Sequence, residues 1–284
     1  MKHKLSPGRL GKGEETMTMP LDLILVRHGE SEGNVARRSS LSGDNSLFTE
    51  EFCARHNSRL RLTDRGREQA QAAGTWLKNN IGSRFDRYLV SGYLRAMETA
   101  ALMDLPDALW YQDFYLRERD LGLFEIMPED DKKNRFPEAY RQYRFDPFYW
   151  TPPNGESIAQ LCLRIDRVLQ TLHRECSERR VLIVCHGLVM WAFIVRIERL
   201  TPTQFLERSQ STNLSDQIRN GQVIHYTRRY PETGSLSNRV DWVRYVCPWD
   251  SRPSESAWRM IRRPSFTNEQ LLEAAETSPR ILVG

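Results

Sequence analysis

Two short runs of apolar residues constrain the fold of this chain more than any other feature. LDLILV covers residues 21–26 and VLIVC covers residues 181–185. Each has the length of a strand and no polar alternation, which is typical of a parallel strand buried on both faces. Each is followed closely by the dipeptide His-Gly, at positions 28–29 and 186–187. The chain therefore places an imidazole and a flexible glycine after two buried strands.

Helical patterns and two weaker strand patterns separate these runs. Apolar residues recur every three or four positions over residues 63–80 and 158–172, and a threonine or serine suited to cap a helix stands at the start of each. Weaker strand candidates lie near residues 88–91 and 108–111. Strands alternating with helices of this length predict βαβ units, and therefore a three-layer α/β/α fold with a mainly parallel central sheet.

The domain organisation follows from local composition. Residues 21–250 are predicted to form one domain, in which QVIHYTRR and RVDWVRYV make a hairpin. Residues 1–20 lack periodicity and predict a flexible tail, whereas residues 251–284 predict a C-terminal helical extension. Two insertions interrupt the domain. The polar stretch 35–62 predicts an irregular loop or lid, and the charged and aromatic residues 128–150 predict a helical insertion that caps a site.

Composition excludes several classes of protein. A hydrophobic content of 39% is too high for an intrinsically disordered chain. No apolar run approaches the roughly 18 residues that cross a bilayer, and MKHKLSPGRLGKGEETMTMP lacks the apolar core of a secretory signal. The five cysteines are scattered without a C-x-x-C pair, which favours reduced thiols. We therefore expect a cytoplasmic protein that does not bind membranes.

Arginine is abundant although the net charge is small. The chain holds 41 Lys and Arg residues, of which six are lysines and 35 are arginines, yet its net charge is only +4. That charge, spread over 284 residues, is too low for a dedicated nucleic-acid binder. A guanidinium binds phosphate through two parallel hydrogen bonds. Only arginines that lie near a reactive group are therefore informative about phosphate binding.

Candidate site residues follow the predicted strands, because ligands of open parallel sheets bind at the carboxyl ends of the strands. VRHGESEGN places Arg27, His28 and Asn34 after the first strand. SGYLRAMETA brings Arg95 after the second, and His186 follows VLIVC. Two imidazoles and two guanidiniums at one sheet edge suit the charge and geometry of a phosphoryl group.

The guanidiniums also affect the protonation of His28. Nearby positive charge lowers the pKa of an imidazole, so we expect His28 to be neutral and able to attack phosphorus. The leaving oxygen then needs an acid. Glu118, in LRERDLG, is the first candidate. Other carboxylates remain alternatives: Asp120, Glu125, Glu30 and Glu98.

The segments LVRHGESEGN, LRAMETA, RERDLG and VCHG, in this order, resemble the motifs of the histidine phosphatase (phosphoglycerate-mutase-like) superfamily over roughly residues 21–230. The resemblance implies a phosphoglycerate-mutase-like fold and a phosphorylated His28. It also implies a proton donor at Glu118 and no metal or organic cofactor. The residues that it implies for phosphate or substrate binding are Arg27, Asn34, Arg95, His186 and Gly187.

Two departures from the mutase pattern favour a phosphomonoester hydrolase. The second His-Gly is followed by residues 188–191, Leu-Val-Met-Trp, where the cofactor-dependent mutases usually have Asn-Ser-Leu-Arg. Leu121 stands where the mutase segment has tyrosine. Both changes remove polar substrate contacts. We expect a small phosphorylated metabolite or a phosphopeptide as substrate, with a mutase or a catalytically silent phospho-ligand or partner-binding protein as the alternatives.

The two insertions carry further candidates with two interpretations each. Four aromatic residues could stack on a substrate ring or pack in the core: Phe145, Phe148, Tyr149 and Trp150. Five arginines could form a second anionic subsite or remain solvated: Arg37, Arg38, Arg55, Arg59 and Arg61.

Overall fold

The computed structural model describes residues 17–250 and 257–282. Within them seven strands form one sheet: β1 Asp22–Arg27, β2 Arg87–Val90, β3 Trp110–Gln112, β4 Arg180–Cys185, β5 Val223–Thr227, β6 Trp242–Val246 and β7 Arg259–Met260. The spatial order is β3-β2-β4-β1-β5-β6-β7. The first four strands in this order are parallel, and the remaining three pair antiparallel. The predicted mainly parallel centre is confirmed, and the predicted hairpin is β5 and β6.

Helices connect the strands. In the described part of the chain they are α1 Glu32–Leu41, α2 Glu50–Ala54, α3 Asp64–Asn80, α4 Leu94–Leu102, α5 Glu129–Arg135, α6 Pro137–Phe145, α7 Ile158–Glu175, α8 Gly187–Glu198, α9 Pro202–Ser209 and α10 Asn268–Glu276. Short 3₁₀ turns cover Asn57–Arg59, Phe114–Leu116 and Gly122–Phe124. Within these residues, no helix combines the length and the hydropathy that a membrane span requires.

The central strands are buried on both faces because helices cover both sides of the sheet. Leu23 and Leu25 of β1 pack in one apolar cluster, which also contains buried residues of α7 and α8. Ile24 and Val26, on the opposite face, pack in a second cluster with α3 and α4. This explains why LDLILV has no polar alternation. The three-layer α/β/α architecture is therefore confirmed.

The register of β1 and β4 determines where the two His-Gly dipeptides lie. Arg27, the last residue of β1, pairs with Cys185, the last residue of β4. The backbone N–H of His28 then donates to the carbonyl of Cys185 at 3.0 Å. Since the two strands are parallel and end at the same level, His28 and His186 emerge side by side. Strand β2 extends the same edge, because its Val90 pairs with Val184.

Two glycines allow the turn after β1 to lie against the start of α3. A Cβ placed on Gly29 would lie 2.0 Å from the carbonyl oxygen of Gly66. A Cβ on Gly66 would lie 1.9 Å from the carbonyl oxygen of Glu30. Neither position has room for a side chain, so the backbone that carries His28 is in direct contact with the backbone of α3.

The insertion at residues 35–62 is more regular than predicted. It contains most of α1, all of α2 and a 3₁₀ turn, so the prediction of an irregular loop was wrong. Helical periodicity was absent because only Ala36 and Ser40 of α1 are buried. Thr49 caps the short α2, because its hydroxyl accepts the N–H of Phe52. The second insertion, residues 128–150, contains α5 and α6.

Both predicted terminal segments extend the domain in the structure. Residues 1–16 lie outside the described chain, but the N–H of Thr18 donates to the hydroxyl of Ser177 at 2.8 Å. At the other end, β7 pairs with β6, and Arg263 donates to the carbonyl of Ile197. The extension predicted from residue 251 therefore contributes a strand to the sheet before the exposed α10. Residues 251–256 and 283–284 lie outside the described chain.

We expect Gly66→Ala to destabilise the protein by roughly 1–3 kcal/mol, because the added methyl group would overlap the carbonyl oxygen of Glu30. In an unobstructed helix the same change stabilises by roughly 0.5–1 kcal/mol. Urea unfolding gives the sign of the change in the free energy of unfolding. Glu68→Ala, at an exposed position of the same helix, is the control and should have little effect. A more stable Gly66→Ala variant would contradict the close backbone contact.

Candidate active site

A cavity of about 460 Å³ opens at the carboxyl ends of β1, β2 and β4. Its wall includes the sequence-predicted residues Arg27, His28, Asn34, Arg95, Glu118 and Gly187. His186 is fully buried behind this wall, and the centroids of its ring and the His28 ring lie 5.1 Å apart. The structure thus brings together the residues that follow three separate strands.

One ring nitrogen of His28 is fixed by the backbone. The Nδ1–H donates to the carbonyl oxygen of Gly29 at 2.7 Å, because a carbonyl can only accept. The neutral ring therefore carries its lone pair on Nε2. That atom accepts a hydrogen bond from Nε of Arg95 at 3.2 Å. The free electron pair of His28 therefore points toward a cation rather than toward the core.

Arg95 is held by α4 and by the first insertion. Its Nη1 donates to the carbonyl oxygen of Asn57 at 2.7 Å and to Oδ1 of the same residue at 3.2 Å. Its guanidinium carbon lies 4.9 Å from the centre of the Tyr93 ring. Asn57 was not among the predicted site residues, because a carbonyl in a 3₁₀ turn leaves no signal in the sequence. The insertion therefore orients a guanidinium of the site.

Arg27 lies against the start of α8. Its Nη1 donates to the carbonyl oxygen of Ile218 at 2.6 Å, while its buried Nε has no partner in the described chain. A Cβ on Gly187 would lie 3.3 Å from this Nε, so glycine leaves the guanidinium room at the helix N-terminus. Burial lowers the pKa of Arg27 to about 10, which leaves it charged at neutral pH.

His186 is bonded at one ring nitrogen only. Its Nε2 lies 2.7 Å from the hydroxyl of Ser91, the residue after β2. Its buried Nδ1 has no partner within the described residues. Ser91 was also missed by the sequence reasoning, although it is the last residue of a predicted strand and that position was a usable signal. Together with Nε of Arg27, two buried polar atoms of this site lack protein partners, an arrangement that a bound anion would satisfy.

Both imidazoles are neutral at pH 7. Burial, and then the charges of Arg95 and Arg27, hold the pKa of His28 well below its ordinary value of 6.5. The pKa of His186 is lowered by burial and by the same neighbours. Within residues 17–250 and 257–282, no group of three or more His, Cys, Asp or Glu side chains is arranged to hold a metal ion.

Three carboxylates line the cavity: Glu118, Glu125 and Glu129, the last of which forms an ion pair with Lys132. Glu118 accepts the backbone N–H of Arg119 at 2.8 Å, and Glu125 accepts that of Leu121 at 3.0 Å. Burial raises the pKa of Glu125 to about 6, and the negative charges of Glu118 and Asp120 add to the shift. Glu125 therefore holds a proton in mildly acidic solution while lying in the same cavity as His28.

The other three candidate acids have other partners. Glu30 forms an ion pair with Arg38 at 2.9 Å. Glu98 accepts from Arg61 and from the backbone N–H of Leu62. The Oδ1 of Asp120 accepts the N–H of Gly122 at 2.8 Å. None of the three carboxylates is part of the cavity wall described above.

Asn34 lies at the cavity wall with its amide oxygen already engaged. That oxygen accepts from Nδ2 of Asn220 at 2.9 Å and from the N–H of Ser31 at 3.2 Å. The same Asn220 nitrogen donates to the carbonyl of His28 at 3.1 Å. Asn34 therefore connects the start of α1 to the backbone of His28, and only its amide nitrogen is available for a ligand.

The insertion candidates divide between the cavity, the core and the surface. Phe148 and Trp150 are buried, and Trp150 also lines the cavity, whereas Phe145 and Tyr149 are exposed. Of the five arginines, Arg37 alone is among the cavity-lining residues. Three others form ion pairs with glutamates: Arg38, Arg55 and Arg61. A five-arginine subsite is therefore not formed, since charge pairing holds three of its members elsewhere.

Comparisons with known proteins agree on the family. The model of the histidine phosphatase superfamily (branch 1) matches residues 23–220. The 2,3-bisphosphoglycerate-dependent phosphoglycerate mutase of Methylobacterium radiotolerans is 31% identical, over 64% of this chain and 81% of that protein. The chicken 6-phosphofructo-2-kinase/fructose-2,6-bisphosphatase is 30% identical over 62% of this chain, which spans only 32% of that longer protein. The α-ribazole phosphatase structure from Shigella flexneri superposes with a TM-score of 0.58 at 23% identity, covering 77% of this chain and 96% of that one.

We expect Glu125→Gln to stabilise the protein above pH 6 and not below pH 4.5. A carboxyl whose pKa is raised by folding contributes stability that is present below its unfolded pKa of 4.5 and is lost as the pH rises through about 6. A shift of this size corresponds to about 2 kcal/mol. Thermal unfolding at pH 4.5 and 7.5 measures the effect. Glu232→Gln, at an exposed position, should leave the unfolding temperature unchanged at both pH values. An equal effect of Glu125→Gln at both pH values would contradict the burial of a charged carboxylate.

Proposed function

Because this chain belongs to the histidine phosphatase superfamily, we propose that it is a phosphomonoester hydrolase that works through a covalent phosphohistidine at His28. One observation carries the proposal. His28 lines the cavity with its lone pair on Nε2, which accepts from Nε of Arg95 at 3.2 Å, while Gly29 holds the other ring nitrogen. A neutral imidazole beside a guanidinium in this cavity is a nucleophile placed where a phosphoryl anion would bind.

In the first step, Nε2 of His28 attacks the phosphorus of the bound monoester. The N–P bond forms, and the ester P–O bond breaks on the opposite side of the phosphorus. Arg27 and Arg95 offset the negative charge of the phosphoryl oxygens during the transfer. Nε of Arg27, which is buried without a protein partner in the described chain, supplies a further contact to those oxygens. The leaving oxygen takes a proton from a cavity carboxyl group and departs as an alcohol.

In the second step, water attacks the phosphohistidine. The carboxylate that gave its proton now accepts one from the water. The new P–O bond forms, the N–P bond breaks, and inorganic phosphate leaves. During the intermediate the imidazole carries positive charge, which the carbonyl of Gly29 stabilises through the Nδ1–H. His28 thus returns to its starting tautomer without any exchange of the Nδ1 proton.

The proton donor is one of two carboxyl groups. Glu118 is our first candidate, since its charge acts on both Arg27 and Arg95 and its side chain lines the cavity. Glu125 is the second candidate, because its pKa of about 6 keeps it protonated in mildly acidic solution. The pair resembles other acid–base sites in which the charge of one carboxylate helps to keep its neighbour protonated.

A mutase of the same fold is the alternative, because relatives of this chain include phosphoglycerate mutases. The cavity wall favours the hydrolase. Leu188 and Trp191, which replace polar mutase residues, both line it, and so does Leu121. A mutase must hold a phosphorylated acid and return the phosphoryl group to it. The two leucines offer no hydrogen bond to a carboxylate or hydroxyl, and Trp191 offers a single indole N–H in place of a guanidinium, so these side chains assist retention less.

We expect His28→Ala to abolish hydrolysis of 4-nitrophenyl phosphate, since this variant lacks the Nε2 atom that forms the N–P bond. Rapid acid-free quenching of the wild-type enzyme with a ³²P-labelled substrate should give an acid-labile, alkali-stable label at His28. His173→Ala, at an exposed position of α7, is the control and should retain both activity and label. A fully active His28→Ala variant would end the proposal, and isomerised 3-phosphoglycerate without release of inorganic phosphate would favour the mutase.

We expect Glu118→Gln to slow hydrolysis of alkyl phosphates by roughly 10²–10⁴-fold, and aryl phosphates much less, because a phenolate leaves without a proton. Rates for 4-nitrophenyl phosphate and propyl phosphate measure this difference. Asp120→Asn, in the same segment but outside the cavity wall, is the matched control. The same selective loss in Glu125→Gln, with Glu118→Gln unaffected, would assign the acid to Glu125.

A further inference from the structure

The cavity is much larger than a phosphoryl group, and aromatic and aliphatic side chains form a large part of its remaining wall. At about 460 Å³ it lies in the range of pockets that enclose a whole small organic ligand. The phosphoryl-binding groups occupy the end formed by the strand termini. The rest of the wall comes from both insertions and from α8 and α9. Half-buried apolar side chains from these elements include Phe48, Phe52, Tyr143, Leu188, Leu206 and Ile218.

Aromatic rings of this wall are packed into two groups. The Tyr143 ring lies 5.1 Å from Trp150, which lies 5.5 Å from Phe124. On α8 and α9, Trp191 and Phe205 are 5.7 Å apart with their planes nearly perpendicular. All five residues line the cavity. Such fixed rings present flat apolar surfaces to a ligand, and rings favour offset or edge contacts with other rings.

Several polar side chains of the same wall are committed to protein partners. Lys132 forms an ion pair with Glu129 at 3.1 Å. Arg119 donates to the carbonyls of Glu156 and Trp150. Asn57 accepts from Arg95, as described above. A site that recognises a sugar or a glycerate needs donors and acceptors for each hydroxyl. Polar groups are also placed in this wall by Arg37, Gln210, Tyr140 and Tyr143. The preference for an apolar group therefore rests on the packed aromatic rings.

We propose that the substrate is a phosphate monoester of an apolar, ring-bearing alcohol or phenol. This inference rests on the proposed hydrolase function. The phosphoryl group binds at the strand ends, and the ring of the substrate lies against Tyr143, Leu188 and Trp191. Removal of the ring from water supplies the binding free energy. A glycerol or sugar moiety would bury less apolar surface against these rings and would therefore gain less binding free energy.

The test compares substrates with leaving groups of similar acidity. We expect kcat/KM for 3-phenylpropyl phosphate to exceed that for propyl phosphate and for glycerol 1-phosphate at least tenfold. Tyr143→Ala and Leu188→Ser should each reduce this preference at least threefold, through KM. Tyr149→Ala, an exposed tyrosine of the same insertion outside the cavity wall, should keep it. Equal values for the three substrates, with hydrolysis intact, would overturn the substrate class and leave the hydrolase proposal standing.

Binding to the wild-type protein separates the two proposals. Phosphonates are not hydrolysed, so calorimetry with 4-phenylbutylphosphonate and 2,3-dihydroxypropylphosphonate measures the preference without turnover. We expect the phenylbutyl compound to bind at least tenfold tighter. Equal affinities would overturn the inference. Absence of hydrolysis and of label at His28, together with preferential phenylbutyl binding, would overturn the hydrolase and keep the apolar ligand site.

Discussion

The pairing of β1 with β4 is the constraint on which the rest of this structure depends. Arg27 and Cys185 are opposite each other at the ends of two parallel strands, so the imidazoles that follow emerge at one level. A shift of this register by one residue would turn alternate side chains to the opposite face of the sheet. Both apolar clusters would then be disrupted together with the site. Core packing and the convergence of the site residues are therefore set by the same hydrogen bonds.

Much of the fold could be predicted because its strongest signals are local. LDLILV and VLIVC are continuous apolar runs, since helices cover both faces of their sheet. The residues that follow such strands meet at one edge, which is why Arg27, His28 and His186 could be chosen together. Helices α1 and α2 gave no such signal, because they bury few apolar residues and depend on hydrogen bonds at their ends.

The parts of the site that could not be predicted are mostly backbone groups. Carbonyls of Gly29, Asn57 and Ile218 fix the orientation of His28, Arg95 and Arg27. Every residue has a carbonyl, so no residue type marks these positions. The pKa of Glu125 was equally inaccessible from the sequence, since it depends on burial and on the distance to other carboxylates. Tertiary structure therefore decides which of several glutamates stays protonated.

The contact between Arg95 and Asn57 has a consequence for how such sites can be re-engineered. Asn57 belongs to the segment whose length and sequence would be the obvious place to exchange between homologues. A chimaera that receives a foreign segment here would also lose the acceptor that holds the guanidinium beside His28. Loop grafting in this protein would therefore alter the candidate active site itself, and a donor loop has to bring its own carbonyl to the same point.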